Sequence, residues 1–486
     1  MTDLQLWWPL ATLGMGAALV YLIARFLSRR NGLLAGVTFA IHLVALFFTL
    51  HLAAPVLDGA FTQWTPSGAL HAKLMGEPGA FLVATFSLTL GALVALYSGR
   101  YLALDHRYED YYPLLLGLSA GVFGMVMAAD IFILYLFTGF TGIISYVLVA
   151  FRRRERTAIE AGFKYAVMGG TGAMLMLAGM GYIIRAGGDL TFDALPRDFD
   201  VWSTIGIALV MGGLGIKAAI VPAHTWVPDA YGRAPSSISA MLSGALSQAY
   251  LYVFIKAGLG LGWSPLLLGR VAIVAAVLNM LIGNLMAFMQ DESKRLLAYS
   301  SVAQNGYILL ALGLGLTLGR PELLAAAFFM LTAHGVLKAL AFLSKGVGRF
   351  YLDMFRIAEL QGLYHRMPLI GFCLALSLAG LAGLPPLVGF IAKWQILAAI
   401  PTWDILTGGL VALFVINVLL SLGYYIPPIY RVFTPPIDGE RIRGSGWMLV
   451  PLTVMLIAII GLGILPGGLY SVAEQAAEFL LGWGIT

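Results

Sequence analysis

Apolar runs of about 20 residues recur along the whole chain, and this one feature limits what it can fold into. A run of that length makes a helix that crosses the hydrocarbon core of a bilayer. Inside lipid every backbone N–H and C=O must be paired within the span, so the runs read as transmembrane α-helices. About fourteen spans follow, at roughly 5–27, 33–54, 79–99, 112–130, 131–151, 162–185, 202–224, 237–260, 269–290, 297–318, 322–345, 367–400, 407–430 and 447–467. The twelfth contains a break around Pro385 and Pro386. Only 11% of the 486 residues are charged, less than half the roughly 25% of a soluble domain. The expected fold class is an all-α polytopic membrane protein.

Charge placement sets the expected orientation. Arg25, Arg29, Arg30, Arg100, Arg107, the run "RRRER" at 152–156, Lys294, Arg295, Lys345 and Arg349 fall in alternate loops. The other loops hold only Lys73, Arg185, Arg197, Arg270 and Arg320. Basic residues accumulate on the cytoplasmic side, so both termini are expected outside the cell membrane. Residues 1–4 carry Asp3 and no basic segment, so a cleaved signal peptide is not expected. The single Cys373 excludes an internal disulfide and a cysteine metal cluster. The tail "SVAEQAAEFLLGW" reads as a short interfacial helix.

The carboxylates, among them Glu77, Asp130 and Asp229, can be placed at span ends or in loops. The bases cannot. Lys217, Lys338 and Lys393 fall inside spans seven, eleven and twelve, and His334 lies one turn before Lys338. A charge at the bilayer centre costs about 2.5–3.5 kcal/mol on insertion scales, so such groups face the protein interior or water. Lys217 is followed by Pro222, and Lys393 follows Pro385 and Pro386, which free backbone groups in both spans. Broken helices in two halves point to a transport pathway. His334 and Lys338, at i and i+4, share a helix face and could form two steps of a proton wire; a core histidine bonded to a carbonyl is the alternative. Lys256, near a span end, is expected to snorkel.

Four stretches carry a family pattern: "KAAIVPAHTWVPDAYGRAPSSISAMLSG" (217–244), "DESKRLLAYSSVAQNGYI" (291–308), "TAHGVLKALAFLSKG" (332–346) and "LAGLPPLVGFIAKW" (381–394). With "YSGRYL" (97–102) and "AADIFILYLF" (128–137), they resemble the antiporter-like subunits shared by respiratory complex I, membrane-bound hydrogenases and Mrp cation/proton antiporters. Length and "GFIAKW" lean towards the D-type Mrp subunit and its hydrogenase-linked relatives. The resemblance implies two inverted five-helix bundles with broken helices seven and twelve. Residues 1–110 would hold helices 1–3, 111–262 the first half-channel, 263–432 the second, and 433–486 helix 14 and the tail. It also implies proton-transfer roles for Lys217, His334, Lys338 and Lys393. The expected partners are other membrane subunits, sibling antiporter-like chains among them, with H⁺ transported or exchanged for Na⁺ and no nucleic acid.

Three positions depart from that pattern. Gly139 stands where the family has a helix-five glutamate, Gln248 where it has a helix-eight lysine, and Gln304 where relatives often have histidine. Lys217 therefore lacks its expected acidic partner, and "TGFTG" there reads as a small-residue packing face. Three readings remain open: ion translocation with an impaired first half, a structural or coupling subunit, and membership of a redox-driven complex. The glycines of runs such as "GLGLG" lie in apolar helices and make no nucleotide fingerprint. No cofactor or metal is expected to bind, and "HTWVPDAYGR" is too sparse in ligands for a metal site.

Overall fold

The computed structural model describes residues 3–27, 30–59, 62–64, 73–103, 105, 107–192, 200–401, 404–436 and 440–485. The first three spans are α1 (Trp7–Leu22), α2 (Asn31–Leu57) and α3 (Pro78–Tyr101). They are followed by α4 (Tyr108–Met127), α5 (Ile131–Val149) and α6 (Arg156–Arg185). Span seven is discontinuous: α7 (Val201–Lys217) and α8 (Val227–Arg233) flank an irregular segment. Span eight comprises α9 (Ser236–Met241), a π-helical turn over Leu242–Leu246, and α10 (Ser247–Gly260). The chain continues through α11 (Pro265–Phe288), α12 (Ser293–Leu318) and α13 (Pro321–Leu352). A single turn α14 (Leu363–Arg366) leads into the second broken span, α15 (Pro368–Ala382) and α16 (Val388–Ala398). Last come α17 (Ile405–Phe433), α18 (Gly446–Ile464) and α19 (Gly467–Ile485). Among the described residues, 12 helical spans are long and apolar enough to cross a membrane. The two broken spans complete the expected fourteen, and the chain is an all-α polytopic membrane protein.

The helices differ in how much surface they leave bare. Along α2, α6 and α17 a third or less of the apolar window is buried, whereas α9–α10, α12 and α13 are almost wholly buried. An apolar helix surface left bare suits lipid. The buried helices form a central layer, and Gln248, Lys256, Gln304, His334 and Lys338 lie there.

The two ends of the bundle differ in chemistry. At one, Tyr101, Arg152, Arg233, Lys294, Arg349 and Phe355 line a cavity of about 220 Å³. This brings together ends that the alternating loops assign to the basic side. Arg152 pairs there with Asp105 at 3.0 Å, and Arg233 with Glu292 at 3.1 Å. At the opposite face, strand β1 (Thr62–Trp64) pairs antiparallel with β2 (Leu74–Gly76). Leu74 bridges to Ala128, and Asp130 to Thr191. The tail helix α19 packs on α13 and α3, with Tyr470 against Phe329 and Trp483 against Phe192. It is longer than the short segment expected and covers the ends of the central helices.

Two expectations are corrected. Helix α13 continues to Leu352, so Lys345 is helical and buried, donating to the Met354 carbonyl, rather than lying in a loop. Its charge ended the apolar run in the sequence, but packing carries the helix further. Lys294 is likewise 6% exposed and donates to the Ala234 carbonyl.

Candidate functional site

A helix break frees backbone groups that lipid cannot satisfy, so each break needs local partners. At the first break, between α7 and α8, Asn279 of α11 supplies two of them. Its Oδ1 accepts from the Val221 N–H at 2.8 Å, and its Nδ2 donates to the Ala219 carbonyl at 3.3 Å. Trp226 Nε1 donates to the Ile216 carbonyl at 3.0 Å. Protein groups thus serve the backbone groups freed near Pro222. Pro228 lies in the first turn of α8, where its missing N–H costs little. At the second break, Gly383 has φ +89°, a conformation that suits glycine. Lys393 reaches back from α16 to the carbonyls of Leu381 and Ala382 at 2.8 and 3.2 Å. Gln304 of α12 donates to the same Leu381 carbonyl at 2.9 Å. Pro385 and Pro386 lie in the irregular segment between these helices.

The four bases predicted from sequence are all buried, but they do not form one cluster. Lys338 and His334 share a face of α13, yet they turn to different helices. Lys338 donates to the Leu297 carbonyl at 2.8 Å and to Ser300 Oγ, both on α12. His334 Nδ1 lies 2.8 Å from Gln248 Nε2 on α10. Shared hydrogen-bonding residues still link the two. Gln248 donates to the Ser243 carbonyl at 3.1 Å, Ser243 Oγ meets Ser301 Oγ at 2.9 Å, and Ser301 donates to the Leu297 carbonyl that Lys338 also uses. The π-helical turn holds Ser243 at this junction, a common use of such local irregularity. Beyond Lys338, the Tyr425 hydroxyl lies beside Ser300 and Gln304, and Gln304 shares Leu381 with Lys393. Lys393 also stands 5.2 Å from the Tyr307 ring centre.

Lys217 stands apart in an aromatic setting. It ends α7, with its ammonium 6.0 Å from the Tyr250 ring centre. Tyr165 stacks on Trp226 with centroids 4.2 Å apart, and Tyr146 meets Tyr165 edge-on at 4.6 Å. Among the described residues no carboxylate pairs with Lys217. A Cβ placed on Gly142 of α5 would stand 3.5 Å from its Nζ, whereas one on Gly139 would meet nothing within 4 Å. The small residues of α5 do pack: a Cβ on Gly121 of α4 would collide with Thr141.

One buried pair escaped the sequence. Lys256 does not snorkel. It is 1% exposed, pairs with the equally buried Glu77 at 2.9 Å and donates to the Val126 carbonyl at 2.9 Å. Tyr252 donates to the same Glu77 oxygen. The spacing Gln248, Tyr252, Lys256 placed these three on one face of a helix, which was the available signal. Nearby Asp130 caps α5 through Ile133 N–H at 2.7 Å and accepts from Lys73 N–H at 2.8 Å. Burial pushes its carboxyl above the ordinary range, against the opposing pull of these backbone donors.

Comparison with known proteins fits this architecture. Residues 128–421 match the family described as NADH:quinone oxidoreductase/Mrp antiporter, TM. Subunit N of the NADH-quinone oxidoreductase of Desulforamulus reducens is 32% identical over 451 residues, spanning 88% of this chain and 90% of that one. A chain of the membrane-bound sulfane sulfur reductase, an archaeal respiratory membrane complex, superposes with a TM-score of 0.88 at 27% identity, covering 99% of this chain and 98% of that one. A chain of the Mrp complex of a Dietzia species shares the fold at TM-score 0.84 and 23% identity, with the same coverage. The matched region holds both broken helices, the serine-lined junction and all four buried bases, and the protein belongs to the NADH:quinone oxidoreductase/Mrp antiporter transmembrane family as an antiporter-like membrane subunit.

Proposed function

We propose that this chain carries protons across the membrane, as net transport or in exchange for Na⁺, within a multisubunit membrane complex. The observation that carries the reading is the buried polar route from His334 through Gln248, Ser243 and Ser301 to Lys338, and past Gln304 to Lys393. Its imidazole, hydroxyls and amines exchange protons through bridging water, with the Gln248 amide and the Ser243 and Leu297 carbonyls orienting them, and burial makes each charge costly to hold, so a proton entering at one end favours release at the other. Residues 111–262 and 263–432 act as two inverted half-channels, with the basic face inside the cell and both termini outside. The second half carries most of the traffic, because Lys217 lacks an acid at Gly139. Sibling antiporter-like chains are the natural neighbours, since relatives are subunits of NADH-quinone oxidoreductase and of a respiratory membrane complex.

A second reading, a structural or coupling subunit of a redox-driven complex, is favoured by the same absence at Gly139 together with Gln248 in place of lysine. Flux measurements separate the two. The native complex is reconstituted in vesicles carrying a pH-sensitive dye, with Lys393→Ala, Lys338→Met and Lys217→Ala compared. Loss of flux with Lys393→Ala and Lys338→Met, and a smaller effect of Lys217→Ala, supports translocation. Wild-type flux in the first two fully assembled variants would establish the structural role.

A further inference from the structure

Among the described residues a buried acid–base pair lies outside the route just described. Glu77, at the residue preceding α3, meets Lys256 and Tyr252 of α10, and both partners of the ion pair are 1% exposed. Two features set it apart from a simple clamp. The second oxygen of Glu77, Oε2, is buried and has no partner among the described residues, so the carboxylate keeps an open acceptor. A pair selected only for cohesion would have its remaining lone pairs satisfied, because desolvation is otherwise uncompensated. The pair also continues a polar stripe. Gln248, Tyr252 and Lys256 follow at i, i+4 and i+8, each step rising about 6 Å along α10. The first of them touches His334, whose Nε2 is likewise buried without a partner among the described residues. The stripe therefore runs from the central route to the face closed by the strap Leu74–Gly76, the Ala128–Asp130 segment and α19. Among the described residues, other ionisable groups near this end include Asp130, on the segment after α4, Lys73, just before the strap, and Glu322 and Glu474 beside Tyr470.

We infer that Glu77, Lys256 and Tyr252 form a proton-exchange site between the His334 end of the route and the face opposite the basic cavity. This rests on the reading of the chain as a proton carrier. In the exchange, the Lys256 ammonium gives a proton to Glu77: one N–H bond breaks as one O–H bond forms, leaving a neutral amine beside a neutral acid. The acid then releases its proton to water on the strap side, and the amine takes the next proton from the Gln248 side. One proton enters, one leaves, and the ion pair is restored. Tyr252 holds the carboxylate through its hydroxyl while the pair opens. An acid and a base are thus present elsewhere, Lys256 on the same face of α10 as Gln248 and Glu77 opposite it at the start of α3.

The test uses the native complex in dye-loaded vesicles, comparing Glu77→Gln, Lys256→Met, Tyr252→Phe and the double variant Glu77→Gln/Lys256→Met. Subunit content and infrared difference spectra after a pH jump are read alongside. The expected result is flux at least tenfold lower in Glu77→Gln and in the double variant, several-fold lower in Tyr252→Phe, and a protonated-carboxyl band that Glu77→Gln removes. The double variant leaves no unpaired charge, so it and Tyr252→Phe decide the matter where the single variants do not assemble. A double variant that assembles and conducts like wild type overturns the inference and makes the pair a clamp. Lys338→Met in the same preparation separates the two levels. If it is inactive while the double variant is normal, only the exchange site fails; if both conduct normally, the proton-carrier reading fails with it.

Discussion

The side-chain amide of Gln248 stands 2.8 Å from His334 Nδ1 and 3.1 Å from the Ser243 carbonyl, and together these contacts fix the histidine tautomer. A carbonyl only accepts, so the amide nitrogen faces Ser243 and donates its second hydrogen to His334. Nδ1 therefore accepts, and the proton of the neutral ring sits on Nε2. Gln248→Leu removes both donors at once. It is expected to destabilise the protein by about 1–3 kcal/mol, the cost of leaving buried acceptors unpaired, and to slow proton flux several-fold as His334 loses its orientation. Thermal unfolding in detergent and dye-reported flux measure the two effects. Unchanged flux with lowered stability would leave His334 a core residue only.

The spans, both breaks and the four buried bases were legible in the sequence because each has a local cause. Apolar length gives the helices, proline gives the breaks, and a lysine inside an apolar run is conspicuous wherever the chain folds. The Glu77–Lys256 pair was missed because its partners lie at the start of α3 and on α10, and neither segment records the other. Lys256 near a span end looks like a snorkelling lysine until α3 is laid against it. Asn279 was overlooked for the same reason: one amide in an apolar run says nothing about the broken helix it will serve. Lys345 was assigned to a loop because charge interrupts hydropathy, whereas the helix is decided by the packing around it.

Gly139 has room for the side chain it lacks. A Cβ there meets nothing within 4 Å, and Gly142, one turn along the same helix, approaches the Lys217 ammonium. Gly139→Glu is therefore expected to assemble normally and to raise the contribution of the first half to flux. In that background Lys217→Ala strands a buried carboxylate and is expected to cost about 3–5 kcal/mol, far more than in the wild type. A double-mutant cycle on thermal stability measures the coupling. Additive effects would mean that position 139 does not face Lys217.

Asn279 holds the first break from α11. Its amide serves both Val221 N–H and the Ala219 carbonyl, the latter on a residue with φ +58°. Asn279→Ala strands one donor and one acceptor, and the expected loss is about 2–4 kcal/mol from two unsatisfied backbone groups. Asn279→Asp keeps the acceptor and forfeits the donor, and a buried uncompensated carboxylate makes it no better. Hydrogen exchange over residues 218–226 should rise in both variants before the rest of the protein unfolds. A rise spread evenly over all helices would show that the break is held by other contacts.

Asp130 offers a pH test away from the spans. Its carboxylate caps α5 and ties down the Lys73 N–H, so Asp130→Ala is expected to cost about 1–2 kcal/mol at neutral pH. Burial, its largest influence, holds the native carboxyl above the ordinary value, so the folded state binds this proton more tightly than the unfolded chain does. The sign follows from linkage: this group's contribution is greatest below the ordinary carboxyl pKa of 3.8 and declines as pH rises through the raised native value. The stability gap between wild type and Asp130→Ala should therefore widen as pH is lowered from neutral into the carboxyl range. Unfolding midpoints of both proteins across that range measure it. A gap that narrows in acid would mean that the backbone donors outweigh burial and hold the native carboxyl below its ordinary value.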